Sequence, residues 1–108
     1  MKLILAIIQD EDAHEVISAL NEAKFQVTRL NTKGGFLRSG NTTLMTGVPA
    51  ERLEEALKII EENSKARTQH ATLPSAIGAM HGFLLAPIEV KVGGATVFVL
   101  DVEQFYKF

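Results

Sequence analysis

A small α+β sandwich, with two amphipathic helices on one face of an antiparallel sheet, is the fold class this chain predicts. Three observations carry it. Apolar runs and helix-periodic segments follow one another in the order strand, helix, strand, strand, helix, strand. Each helical segment has a single apolar stripe, so both pack on one side. At 108 residues the chain supports one core in one domain, 1–108, with no internal repeat or linker.

The first strand is "KLILAII", a continuous apolar run stopped by the acidic "QDED". With one lysine and an unbroken run of six apolar residues between it and Gln9, "MKLILAII" is too short for a signal-peptide core or a membrane span. In "DEDAHEVISALNEAKF", Val16, Ile17, Leu20 and Ala23 recur at helical spacing. Asp12 and Glu15 have the spacing of a capping box with aspartate in the serine position. "QVTRLNT" reads as a second strand, in which Phe25, Val27 and Arg29 alternate imperfectly with Gln26, Thr28 and Leu30. "NTTLMTGV" reads as a third, rich in β-forming threonine. Pro49 opens the second helix, "AERLEEALKIIEENSKA", with Leu53, Ala56, Leu57 and Ile60 on one face.

After Ala66 the pattern fails. "RTQHATLPSAIGAMHGFLLAP" contains Pro74, Gly78 and Gly82 and keeps no period, which predicts a long, conformationally mobile loop after the second helix. Its Leu73, Ile77, Met80, Phe83, Leu84 and Leu85 are too apolar for a solvated loop, and predict that it covers a cleft or presents a partner surface. "IEVKV" and "ATVFVLDV" flank Gly93-Gly94, which predicts a C-terminal β-hairpin with a two-residue turn. The closing "EQFYKF" suggests a short helical turn. The βαββαβ order is ferredoxin-like. Strands as apolar as "LILAII" and "TVFVL" imply that the helix-free face is covered as well, most simply by other copies of the chain.

Composition narrows function. Hydrophobic residues make up 46% and charged residues 22%, and the net charge of -2 argues against a nucleic acid polymer as partner. Absence of cysteine rules out disulfides and thiolate chemistry within the chain and suits a cytoplasmic location. His14, His70 and His81 share no metal-ligand spacing, so no metal site is expected. No nucleophile or carboxylate pair suggests catalysis.

The stretch "TKGGFLRSGNTTLMTG" concentrates the chemistry. Gly35 to Thr42 matches a phosphate loop except that Asn41 replaces the required lysine, and a strand follows where a helix is needed. A flat ligand fits better. Glycine lets backbone approach it, Phe36 and Leu37 offer apolar surface, Arg38 suits a phosphate, and the Asn41 amide can read an adenine edge. A plain glycine-rich hairpin with polar residues in water accounts for the same stretch, so both readings stand.

"TKGGFLRSGNTT", "LAIIQDED" and "EVKVGGATVFVLDVEQF" together resemble the PII-like cyclic di-AMP receptor family over nearly the whole chain. The resemblance implies a homotrimer of ferredoxin-like subunits, with ligand sites between neighbours. It also implies signalling to a downstream protein partner, no catalysis, and cyclic di-AMP as ligand rather than a cofactor. Carried over residue by residue, it places Thr28, Gly35, Phe36, Leu37, Asn41, Gly47 and Phe98 in the pocket. Asn41 and the Gly47 backbone would hydrogen-bond adenine, Phe36, Leu37 and Phe98 would contact the base, and Thr28 would reach a phosphate or the second base. Arg38 is either a ligand contact or an anchor of the loop. Lys24, Gln26 and Lys107 stand where the resemblance leads one to expect asparagine, arginine and glutamine. Another adenine nucleotide such as ATP is the alternative ligand.

Overall fold

Ile4, Ala6 and Ile8 alternate with Leu3, Leu5 and Ile7 along β1 (Lys2–Gln9), and the two sets point to opposite faces of the sheet. The computed structural model describes the backbone of residues 1–30, 40–71 and 88–108, and the side chains of residues 1–30, 40–67 and 93–108. After β1 come α1 (Asp10–Glu22), β2 (Thr28–Leu30), β3 (Asn41–Val48), a 3-10 turn at Ala50–Arg52 and α2 (Leu53–Ser64). β4 (Arg67–Ala71), β5 (Ile88–Val92) and β6 (Ala95–Asp101) complete the order. The main sheet runs β2-β3-β1-β6, antiparallel throughout, and β4 and β5 pair as a separate ribbon. This is the ferredoxin-like, PII-like α+β sandwich.

Register assigns the faces. Ile4 lies opposite Thr46 and Val99, and Ala6 opposite Leu44 and Val97. With Ile8 and Val48 they form the helix-side layer, against which Ala13, Val16 and Leu20 of α1 and Ala56 and Ile60 of α2 are buried. Ile17, Ala23, Leu53 and Leu57 flank that core, as their helical spacing predicts. The opposite face carries Leu3, Leu5 and Ile7, with Met45 and Gly47 on one side and Phe98 and Leu100 on the other. Phe98 is 48% exposed and Leu100 44%. Among the described residues this apolar sheet face carries no helix.

Five local expectations change. Asp12 is no cap: Gln9 holds the N-cap position, and Asp12 is buried within the first turn against Arg67, as described below. β2 begins at Thr28 rather than at Gln26, whose carbonyl accepts the Thr46 hydroxyl at 2.5 Å, and the expected end of this strand, Asn31 and Thr32, lies outside the described residues. The segment after α2 opens as β4 rather than as a structureless loop. Residues 72–87, with the mobility and apolar surface expected of them, lie outside the described residues. The predicted C-terminal hairpin does not form: β5 pairs with β4, and β6 with β1. Gly93 and Gly94 have the positive φ expected of them, 81° and 97°, but they form a corner between two sheets. Their amides are committed to Gln9 and to the Ser64 carbonyl at the end of α2, which fixes the corner. Residues 102–108 form no helical turn, and Tyr106 stacks on Phe108 with ring centroids 6.1 Å apart.

Candidate functional site

Two clefts mark opposite ends of the helix-free face. The first, of 420 Å³, is lined by Met1, Leu3, Gln26, Thr28, Met45, Gly47, Val102 and Phe105. It unites three of the expected ligand residues, Gln26, Thr28 and Gly47. Thr28 stands opposite Met45 in the ladder, and Gly47 stands opposite Leu3, so register alone puts them on one wall. At Gly47 an added Cβ would meet Met1 Sδ at 3.4 Å, so the bare backbone here keeps the cleft floor open.

The second cleft, of 390 Å³, is lined by Ile7, Gln9, Asn41, Gly93, Gly94, Ala95 and Thr96. Asn41 opens β3 opposite Gln9. Asn41 and Gly47 share a face but lie six residues apart, about 20 Å at strand rise. One adenine on one protomer therefore cannot be held by both. Phe98, opposite Leu5, lies between the two ends. Gly35, Phe36, Leu37 and Arg38 lie outside the described residues.

Lys24 ends α1 with φ of 71°, the left-handed conformation of a helix C′ residue. Its amide donates to Asn21 O at 3.0 Å, and that of Phe25 to Leu20 O at 2.9 Å. These two bonds are the Schellman pattern. Arg52 locks the same turn: Nη2 donates to Ala23 O at 2.8 Å, and the guanidinium lies 4.1 Å above the Phe25 ring. Its bond to Glu55 at 2.9 Å raises the Arg52 pKa and lowers that of Glu55. Arg52 thus fixes the segment that delivers Gln26 and Thr28 to the first cleft.

Among the described residues no side chain lining either cleft carries a formal charge, so both suit the faces of a heterocycle better than a bare phosphate. A third, polar cleft of 440 Å³ on the helix side contains Glu11, Asp12, Glu15, Glu62, Asn63, Lys65 and Arg67. Among the described residues no group of three or more His, Asp or Glu is placed to hold a metal ion, and His14 is exposed on α1. No helix among them is long and apolar enough to cross a membrane. Gln9, Thr96 and the Gly93-Gly94 corner were not anticipated as neighbours of Asn41. The pairing of β3 with β1 brings Gln9 there and the pairing of β6 with β1 brings the others, and a Gly-Gly pair alone does not distinguish a hairpin turn from a corner.

The sandwich, with an apolar sheet face and a cleft at either end of it among the described residues, defines a PII-like protein. The chain belongs to the cyclic-di-AMP receptor family, which it matches over residues 1–108. Its fold is also similar to the crystal structure of a functionally unknown protein from Pediococcus pentosaceus ATCC 25745, with a TM-score of 0.78 and 42% identity. That similarity covers 99% of this chain and 96% of the other.

Proposed function

We propose that the protein is a non-catalytic signal transducer that binds cyclic di-AMP between the subunits of a homotrimer and passes the bound state to a protein partner through loop conformation. The family match over the full chain carries this proposal. The two clefts support it. A ligand with two adenines, held between protomers, engages an Asn41 end from one copy and a Gln26, Thr28 and Gly47 end from another, which no single protomer brings together. The Asn41 amide reads one adenine edge, the Gly47 backbone and Thr28 serve the other half, and Phe98 contacts a base. Gly35, Phe36 and Leu37 complete the pocket, with Arg38 on a phosphate or anchoring the loop. The described walls carry no charged side chain, which leaves the two phosphodiesters to other cations, and Lys24 is placed at the start of the segment that leads to Gln26.

Calorimetry tests this directly. Cyclic di-AMP binds with one ligand per subunit and cyclic di-GMP does not, because guanine presents a carbonyl where adenine presents its amino group. Equal affinity for the two removes the proposal. The presence of Gln26 instead of the expected arginine favours testing ATP as a second ligand. A thermal-shift panel of cyclic di-AMP, ATP and AMP separates the two, since the ligand that binds the native state raises its melting temperature.

A further inference from the structure

Three residues at the start of α1, Gln9, Asp10 and Asp12, are bonded in two directions. Toward β3, the Asp10 amide donates to Gly40 O at 2.8 Å, and its carboxylate accepts the Thr42 hydroxyl. Toward the β4–β5 ribbon, Gln9 Oε1 accepts the Gly93 amide at 2.8 Å. The Asp12 carboxylate accepts Arg67 Nη2 at 2.8 Å and Nη1 at 3.4 Å. The Asp12 side chain is only 7% exposed, so its carboxylate has left water and meets its cation in the residue that opens β4. Removing one partner of such a pair strands the other, which makes the attachment firm. Between the two sets of bonds lies one turn of α-helix, stiff enough to carry a displacement from one to the other. Asn41 faces this junction, opposite Gln9 and in the cleft lined by Gly93 and Gly94.

We propose that the junction couples the two halves of the receptor: Asp12 and Arg67 are positioning residues that make the placement of the β4–β5 ribbon depend on occupancy of the Asn41 cleft. The inference rests on the proposed binding of the nucleotide at Asn41. A ligand there meets Gln9 and the Gly93-Gly94 corner together, so it binds unequally to different placements of the ribbon. Linkage then requires the ribbon to respond.

Hydrogen exchange at residues 67–71 and 88–92, with the amides of β1 and β3 as internal reference, tests both parts. In ligand-free protein, Asp12→Asn and Arg67→Met each speed ribbon exchange about tenfold relative to the reference amides. No change, or equal acceleration everywhere, overturns the anchoring role. With saturating cyclic di-AMP the wild-type ribbon changes its exchange, whereas in Arg67→Met the ligand still binds by calorimetry and the ribbon no longer responds. An unresponsive wild-type ribbon, or an undiminished response in Arg67→Met, overturns the coupling. Failure of wild-type protein to bind cyclic di-AMP defeats the ligand assignment instead, and the ligand-free comparison still decides the anchor.

Discussion

Lys24 occupies a backbone conformation that a side chain resists, at a position proposed to supply charge to a ligand. A non-glycine residue at φ of 71° costs about 1 kcal/mol, which glycine avoids at the price of a more flexible unfolded chain. Lys24→Gly is therefore expected to stabilise the ligand-free protein by about 0.5 kcal/mol. The same change removes a cation, so the rise in melting temperature caused by cyclic di-AMP should shrink. Opposite signs in the two melts separate backbone strain from binding. At Gln26, which lines the first cleft, the expected effect is a gain. Gln26→Arg restores a charge-assisted contact to a phosphodiester and should tighten cyclic di-AMP by about 1 kcal/mol in calorimetry. Unchanged or weaker affinity means that Lys24 already fills that role or that Gln26 is not the matching position.

Elements with a strong period were legible in the residues themselves, and elements defined by distant partners were not. Val16 and Leu20, and Ala56 and Ile60, disclosed the buried stripes of α1 and α2 because a helix writes its own geometry into its spacing. β4 escaped notice because "RTQHA" has no alternation and pairs with residues some twenty positions away. Gln26, Thr28 and Gly47 were foreseen as neighbours only through the family resemblance; register explains why they meet. The clamp on α1 was likewise invisible, since nothing near Arg52 in sequence announces Ala23 or Phe25. Arg52→Met removes the carbonyl bond, the ring contact and the Glu55 pair together, and should lower the melting temperature by several degrees. Arg52→Lys should recover little of it, because a point charge cannot serve all three. Its hydrogen bond to Arg52 lowers the Glu55 pKa below the usual carboxylate range. That contribution is complete above the unfolded value and is lost as pH falls through the depressed folded one. In urea titrations from pH 6 to pH 3, Glu55→Gln should flatten the decline in stability on the acid side. The Gly93 corner offers a sharper test: an added Cβ falls 2.6 Å from Lys65 O on a backbone already at φ of 81°. Gly93→Ala should cost about 1–3 kcal/mol in the same titrations.

For the whole molecule, the decisive quantity is the apolar sheet face. Phe98 and Leu100, with Phe105 at 62% exposure, form an apolar surface that no element among the described residues of one protomer covers. A permanent interface that buries about 800 Å² of apolar area per protomer contributes about 20 kcal/mol at 25 cal/mol per Å² before association costs of about 4–15 kcal/mol. Assembly should therefore precede the ligand. Light scattering on ligand-free protein at micromolar concentration is expected to give three times the chain mass. Leu100→Glu puts a carboxylate on that face at a position already 44% exposed, so the protomer should fold while the trimer dissociates. Far-UV circular dichroism checks the fold, and calorimetry checks the consequence. If the clefts at Asn41 and Gly47 are halves of one site drawn from two copies, a folded monomer loses cyclic di-AMP binding altogether. A folded Leu100→Glu monomer that binds with wild-type affinity would place the whole site within one chain, and the 20 Å between Asn41 and Gly47 would then exclude one of them from it.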